Sequence, residues 1–288
     1  LSDNFVSNEV TFQELIPSLQ RSLTKSGVYL GVGPEQNFTY MVATRPMMAI
    51  IFDIRRGNLA LQLMYKAMFE LSKDRADFVS MLFAKPRPAG LTTASTAQQI
   101  FGAFGTSDTS RPLYEKNLAA IRELLTKTRN LPLPQADWES VAAIYQIFYT
   151  SGYYIRPSPS YADLMNATDM AGVPRSYLAS EAAFATLKDL QSRNMVVPVA
   201  GNFGGPKATR AIGRYLKAHG ATVGAFYLSN VEQYLVQDGI WDAFCRNVAT
   251  LPLDSSSTFI RSQNGGGGGR GGFINSLGAM AQETSQCR

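Results

Sequence analysis

Four stretches of glycine and polar residues, each following an apolar run, hold most of the side chains that could perform chemistry. They are GVGPEQN at 31–37, DIRR at 53–56, GNFGGP at 201–206 and SNVEQY at 229–234. If the apolar runs are parallel strands of one sheet, ligands bind outside their carboxyl ends. The four stretches then meet at one edge of the sheet, and this convergence predicts a ligand-binding site there.

In the first stretch, two glycines precede a carboxylate and two amides. Gly31 and Gly33 lack side chains, so the backbone can approach a ligand closely. Glu35, Gln36 and Asn37 then place polar groups over the strand ends. This pattern favours a cofactor-binding loop and makes Glu35 a candidate catalytic residue. A turn that merely ends a strand also prefers Gly and Pro, so a structural turn is the alternative.

The second stretch begins with a carboxylate at an informative distance from the glycines. Asp53 lies 20 positions after Gly33, near the end of the second apolar run. An acidic residue at this spacing receives the ribose hydroxyls in dinucleotide-binding folds. Since a carboxylate accepts hydrogen bonds from both hydroxyls of a vicinal diol, Asp53 is predicted to hold the sugar of a cofactor. The alternative is an ion pair of Asp53 with Arg55 or Arg56.

Asn202 and Glu232 are the candidate catalytic residues of the two later stretches. The N-terminus of the helix after GNFGGP attracts anions, so this loop could hold a carboxylate or phosphate, or place Asn202 and Phe203 against a planar substrate. If Glu232 is buried, its pKa rises toward neutrality and it becomes a candidate general base. The structural alternatives are a strand-to-helix turn at Asn202 and a helix cap at Glu232.

Apolar runs that alternate with amphipathic segments must position these loops. Strands are predicted at 28–32, 47–54, 195–203 and 222–230, with a last edge strand at 257–262. Helices are predicted at 11–23, 58–83, 180–194, 206–220 and over most of 231–251. Thr11 with Glu14 resembles a capping box, Asn58 a cap, and Pro206 and Gly220 the first position and the end of their helix. The alternation predicts an α/β fold: a doubly wound, mostly parallel, Rossmann-like sheet.

Residues 85–175 interrupt this alternation with two further helical stretches and an aromatic, proline-containing loop. We therefore predict the first half of a Rossmann-like domain at 1–84 and a helical insertion, or substrate lid, at 85–175. The second half of the domain follows at 176–262, and a glycine-rich linker with a tail at 263–288.

Composition narrows the classes of function. The net charge is +5, but the 27 Lys and Arg residues are scattered, so we expect no nucleic-acid partner. No apolar run approaches the ~20 residues of a membrane helix, so we expect no membrane partner. A single histidine, His219, argues against histidine-based metal sites and catalytic triads, and we predict no metal. Cys245 and Cys287 allow one disulfide. A cytoplasmic location is favoured, although a start at Leu1 leaves open a removed targeting segment.

Three segments together resemble class I S-adenosylmethionine-dependent methyltransferases: VYLGVG, IIFDIRR and VVPVAGNF. The resemblance implies that Gly31 and Gly33 lie against S-adenosylmethionine, in a loop completed by Gln36 and Asn37. It also implies that Asp53 holds the cofactor's ribose and that Asn202 lies beside the transferred methyl group. The chain also resembles an uncharacterised group of bacterial proteins that share the GVGPEQNF and DIRR segments.

The leading hypothesis is therefore a methyltransferase-like protein acting on a small molecule or peptide. Methyl transfer depends on alignment more than on a strong base, which suits a site without histidine. Two positions depart from the family pattern: Tyr29 stands where an acidic residue is usual, and Gln36 stands where a third glycine is usual. The alternative hypothesis is a non-catalytic ligand-binding or interaction protein with a degenerate cofactor site on a Rossmann-like scaffold. A hydrolase using Glu35, Asp53 or Glu232 is a third.

Overall fold

The computed structural model describes residues 4–23, 26–156, 158–264 and 273–287. The chain forms two compact units. The helical unit comprises Leu1–Asn8 and Ala60–Asn194, and the sheet unit comprises Glu9–Leu59 and Met195–Arg288. The predicted insertion at 85–175 lies within the helical unit, which begins 25 residues earlier and ends 19 residues later.

A six-stranded sheet organises the sheet unit. Its strands are β1 (Val28–Gly31), β2 (Met48–Asp53), β3 (Val196–Ala200), β4 (Val223–Ser229), β5 (Thr258–Asn264) and β6 (Phe273–Ala279). They lie in the order β3-β2-β1-β4-β5-β6. The first five strands are parallel to their neighbours, and β6 is antiparallel to β5. The fold is thus mixed α/β with a mostly parallel sheet, which is compatible with a Rossmann-like fold and confirms the five predicted strands.

The last strand corrects two predictions. The segment 257–262 was expected to form an edge strand, but β6 pairs along β5 from Thr258↔Ala279 to Asn264↔Phe273. β6 itself lies in the segment predicted to be a linker and tail. Its short, weakly alternating sequence is stabilised by this pairing, which local pattern does not reveal. The glycine-rich stretch at 265–272 falls outside the described residues.

Thirteen α-helices occur in the described part of the chain. They are α1 (Ile16–Ser22), α2 (Gln36–Thr44), α3 (Arg56–Leu71), α4 (Arg75–Phe83), α5 (Ala97–Gly105), α6 (Arg111–Glu123), α7 (Gln135–Ser151), α8 (Tyr161–Asn166), α9 (Glu181–Ser192), α10 (Ala208–Ala218), α11 (Val231–Gln237), α12 (Trp241–Val248) and α13 (Met280–Glu283). The predicted helices are all present. α2, α5, the short α8 and α13 were not predicted.

Two of the predicted helix starts and one predicted side-chain cap are wrong. Thr11 forms no side-chain cap, and its hydroxyl instead accepts a hydrogen bond from Asn275 Nδ2 at 2.7 Å. α3 already begins at Arg56, which places Asn58 inside the helix. α10 begins at Ala208 with Lys207 as its N-cap, two residues after Pro206. The predicted end of α10 is confirmed, because Gly220 follows it with φ 61°.

Aromatic side chains pack on both faces of the sheet. On β4, the ring centroid of Phe226 lies 6.4 Å from that of Phe244 on α12. The ring centroid of Tyr227, the next residue, lies 5.0 Å from that of Tyr40 on α2. Since consecutive residues of a strand point to opposite faces, α2 and α12 cover opposite faces of the sheet.

The helical unit has its own aromatic core, in which Phe69 and Phe78 lie 4.6 Å apart and Phe184 contacts both rings. A buried ion pair joins Lys66 and Glu70 at 2.8 Å, one turn apart on α3. No helix among the described residues has both the length and the apolar character needed to cross a membrane.

A disulfide joins Cys245 on α12 to Cys287, 42 residues later. The link closes a loop that contains β5 and β6, so it should stabilise the sheet unit by restricting the unfolded chain. We expect reduction to lower the free energy of unfolding by about 2–4 kcal/mol, measured by urea denaturation with and without reductant. The control is the Cys245→Ala/Cys287→Ala variant, which should not respond to reductant. Equal urea midpoints for the oxidised and reduced protein would contradict the prediction.

Candidate functional site

The four polar stretches do meet at one edge of the sheet. Strands β3, β2, β1 and β4 are parallel neighbours, so their carboxyl ends lie side by side. At this edge the backbone carbonyl of Asp53 accepts a hydrogen bond from the N–H of Gly201 at 2.8 Å. The chain passes from β1 to β2 and β3 on one side of β1, and it then crosses to β4 on the other side. The strand order therefore reverses between β1 and β4. The predicted convergence is therefore confirmed.

Gly31 lies against the protein itself. A Cβ atom at this position would overlap the Oδ1 atom of Asn37 and approach Tyr29 Cε1 to 2.8 Å. The absence of a side chain at Gly31 is thus explained by a neighbouring amide on α2. Its predicted contact with a cofactor stays a prediction.

The amide of Asn37 holds the loop closed. Its Nδ2 lies 2.9 Å, 3.2 Å and 2.8 Å from the carbonyl oxygens of Val32, Gly33 and Pro34, to which it donates. Its Oδ1 accepts a hydrogen bond from the Tyr29 hydroxyl at 2.9 Å. Burial raises the pKa of Tyr29 well above its usual value, so this hydroxyl stays a donor. Donor and acceptor sides of Asn37 are both engaged by the protein.

Gly33 differs from Gly31. Its φ of 78° lies in the left-handed region that favours glycine. No atom lies within 4 Å of the position that a Cβ would take, so there is open space beside it. Of the two loop glycines, Gly33 is thus the one with open space on its Cβ side.

Gln36 binds a residue to which the sequence assigned no role. The side chain of Glu9 is 1% exposed, and its Oε2 accepts hydrogen bonds from Gln36 Nε2 at 2.5 Å and from the Tyr227 hydroxyl at 2.8 Å. Its Oε1 accepts one from the Ser229 hydroxyl, and Ser262 of β5 lies beside the carboxylate. We call these five residues the Glu9 cluster. It joins the start of α2 to the carboxyl ends of β4 and β5.

The protonation of Glu9 is set by its surroundings. Burial raises the pKa of the carboxyl above its ordinary value, and the hydrogen bonds from Ser229, Tyr227 and Gln36 offset part of this rise. Ser229 presents its hydroxyl from a backbone with φ 52°, a left-handed conformation that is costly for serine. The tripeptide SNE at 7–9 is the only local sign of this cluster, and it follows no helix or strand pattern.

Asp53 forms the ion pair that was the alternative to ribose binding. It is 2% exposed, and its Oδ1 accepts hydrogen bonds from the Arg55 backbone N–H at 2.9 Å and from Arg55 Nε at 3.2 Å. Its Oδ2 accepts from Arg55 Nη2 at 3.2 Å. Arg55 thus engages both carboxylate oxygens. Binding of a cofactor's sugar by Asp53 stays a prediction.

Three further predicted residues occupy distinct places. Glu35 is fully buried in the N-cap position of α2, where its carbonyl accepts from the Phe38 N–H at 2.9 Å and its side chain does not cap the helix. Asn202 is exposed, and its Oδ1 accepts from the Gly204 N–H at 2.9 Å, as expected for a turn. Its neighbour Phe203 is buried, with its ring centroid 4.3 Å from that of Phe52, and its contact with a planar substrate stays a prediction.

Glu232 lies in the first turn of α11 and points toward β5. Its Oε2 and Oε1 accept hydrogen bonds from Arg261 Nε at 2.5 Å and Nη2 at 3.0 Å. Arg261 also binds Glu283 through Nη2 at 2.6 Å. Arg261 thus engages both carboxylate oxygens of Glu232. A role as general base stays a prediction.

An apolar cavity adjoins the same edge of the sheet. It has a volume of about 730 Å³, within the usual range of small-molecule sites, and lies between β2, β3 and α10. The strands supply Ile50, Val197 and Val199 to its lining, and α10 supplies Ala211, Ile212 and Tyr215. Asn202 and Lys207 border its end near the carboxyl terminus of β3. These apolar positions have the spacing of core residues, so the sequence did not identify the cavity.

The structure thus defines a mostly parallel α/β protein with a buried polar cluster and an apolar cavity at the strand ends. Residues 4–271 match the family described as Domain of unknown function (DUF7790). The chain therefore belongs to the DUF7790 family. A search of curated proteins gave no match to the chain. Among the described residues, no group of three or more His, Cys, Asp or Glu side chains is arranged to hold a metal ion.

The packing of Asn37 against Gly31 gives the first prediction for this site. We expect Gly31→Ala to lower the free energy of unfolding by about 1–3 kcal/mol, because the methyl group overlaps the Asn37 amide. Part of this loss should disappear when Gly31→Ala is made in an Asn37→Ala background, since the overlapping atom is gone. Urea denaturation of the four proteins measures the coupling. Gly102→Ala is the control, since no atom lies within 4 Å of its added Cβ; additive effects at 31 and 37 would contradict the contact.

Burial of Glu9 gives a pH-dependent prediction. The folded-state pKa of Glu9 lies above the ordinary value of 4.5 for a glutamate, so the folded protein binds this proton more tightly than the unfolded chain does. Its contribution to stability is therefore present below pH 4.5 and is lost as the pH rises through the raised pKa. Glu9→Gln cannot ionise, so its stability relative to the parent protein should increase with pH above 4.5. Urea denaturation between pH 4 and 8 tests this, with Glu139→Gln as the exposed control; a constant difference across that range would refute it.

Proposed function

We propose that this chain is a ligand-binding protein on a Rossmann-like scaffold. Its nucleotide-type cofactor position is occupied by its own side chains, and a small molecule binds in the cavity between β2, β3 and α10. The proposal treats the polar loops as structural and the apolar cavity as the functional site.

The strand order supports the doubly wound scaffold. The chain leaves β1 toward β2 and β3 on one side and returns to β4 and β5 on the other, the order typical of two mononucleotide-binding halves. The packing of α2 and α12 on opposite faces of β4 agrees with helices on both sides of a doubly wound sheet.

The engagement of Asn37 is the observation that carries the proposal. A cofactor lying against Gly31 would have to displace the Asn37 amide, and three loop carbonyls and the Tyr29 hydroxyl would lose their partner. Leaving buried polar groups unpaired costs about 1–3 kcal/mol each, so displacement is unfavourable unless the ligand replaces those hydrogen bonds. Two other polar side chains predicted to bind the cofactor also have partners within the protein. Asp53 is bound by Arg55, and Gln36 donates a hydrogen bond to Glu9.

Gly33 favours a second candidate function, an S-adenosylmethionine-dependent methyltransferase. The open space beside this glycine lies at the end of β1, where the cofactor would approach the backbone. In this case Arg55 would yield Asp53 to the ribose. Asn202, exposed at the end of β3, would then be the residue nearest to the transferred methyl group.

Calorimetric titration separates the two candidates. With S-adenosylmethionine or S-adenosylhomocysteine at up to ~1 mM, a concentration that detects binding more favourable than about −4 kcal/mol, we expect no heat of binding. A measurable dissociation constant that rises at least about tenfold in Asp53→Asn would instead support the methyltransferase and overturn the proposal. Asp238→Asn, which removes an exposed carboxylate after α11, is the matched control for loss of charge.

A further inference from the structure

One wall of the cavity is formed by a segment that contains basic residues and no acidic residue. Between positions 190 and 231 the chain has no Asp or Glu, and it has five basic residues: Arg193, Lys207, Arg210, Arg214 and Lys217. Four of them lie on or beside α10, the helix that forms one wall of the cavity. The same helix turns its apolar side chains toward the strands. The wall thus combines an apolar lining with basic residues on the same helix.

Lys207 is the basic residue that borders the cavity itself. It is exposed, and it forms no ion pair with any part of the chain that the structure describes. Arg210, by contrast, lies outside the lining and donates a hydrogen bond to Asn247 Oδ1 at 2.8 Å. A lysine at the mouth of an apolar cavity, without a carboxylate of its own, is suited to bind the charged end of an anion.

The shape of the cavity indicates the rest of the ligand. Its helical wall runs from Ala208 to Tyr215, which is about 10 Å along the axis of α10. Lys207 lies at one end, and the lining beyond it is supplied by Val197, Ala211 and Ile212. This lining suits a molecule with a charged group at one end and an apolar body behind it.

We propose that the cavity binds a monomeric anionic amphiphile of the fatty-carboxylate class. The carboxylate lies at Lys207, and the apolar chain lies between α10 and the β2–β3 face. This inference rests on the proposed function, because it names the class of molecule that the cavity accepts. Other occupants fit less well: a second copy of the chain carries the same net charge of +5, and a flat membrane surface does not enter a cleft with two walls.

The charge requirement is tested by calorimetry with sodium decanoate and with 1-decanol, both below the concentrations at which they aggregate. We expect Lys207→Gln to weaken decanoate binding about tenfold and to leave decanol binding unchanged. Arg214→Gln removes the same charge from an exposed position of α10 outside the lining, and it should change decanoate binding less than about twofold. Equal weakening by both variants would show a diffuse electrostatic effect and overturn the assignment to Lys207.

The location is tested by filling the cavity. Ala211→Trp places a large ring in the lining, and Ala218→Trp places the same ring at an exposed position of α10 outside it. We expect Ala211→Trp to abolish binding of both probes and Ala218→Trp to leave both unchanged. Circular dichroism of the two variants controls for folding, and binding that persists in a folded Ala211→Trp variant overturns the site.

The remaining outcomes separate this inference from the proposed function. If decanol binds as tightly as decanoate and Ala211→Trp blocks both, the cavity is a ligand site but the anion requirement is wrong. Binding of decanoate only when it is part of an anionic vesicle identifies a membrane surface and overturns the inference. Absence of binding by either probe overturns it as well, whereas the occupied cofactor position is judged separately by the S-adenosylmethionine titration.

Discussion

The parallel pairing of β1 with both β2 and β4 is the constraint on which the sheet unit depends. Parallel neighbours carry their carboxyl ends to the same edge, so the loops after β1, β2, β3 and β4 must converge there. Because strand order reverses beside β1, the space above this edge is where ligands bind in open α/β sheets. In this protein Glu9, Gln36 and Asn37 enter it.

The filling of this edge is chemically consistent. Buried polar groups are stable only when they form hydrogen bonds, and here carboxylate, amide and hydroxyl groups form hydrogen bonds with one another. Asn37 donates to the loop and accepts from Tyr29, while Glu9 accepts from residues of α2 and β4. On the β2–β3 face the situation is reversed, because Val197 and Val199 are only partly covered and line an open apolar space. The chemistry available to a ligand is therefore apolar, with one lysine at its border.

Much of the fold followed from local sequence. Apolar runs bounded by glycine and polar residues located β1 to β5, since buried parallel strands are continuous and apolar, and helical periodicity located the main helices. Local signals failed where a distant partner decides the outcome. Thr11 interacts with Asn275 rather than capping its helix, and β6 forms because β5 offers it an unpaired edge. Neither partner is visible within a window of neighbouring residues.

For the site, the sequence by itself determined which polar groups arrive at the strand ends, because their positions after apolar runs require it. It also determined that Asp53 would have either a sugar or an arginine as its partner. Only the tertiary structure decided that Arg55 holds Asp53 and that Asn37 occupies the space beside Gly31. It also decided that Glu9, from a segment without any helix or strand pattern, binds Gln36. The physical reason is that a hydrogen bond between buried groups depends on separations of about 3 Å between residues far apart in the chain. Spacing along a sequence does not encode such separations.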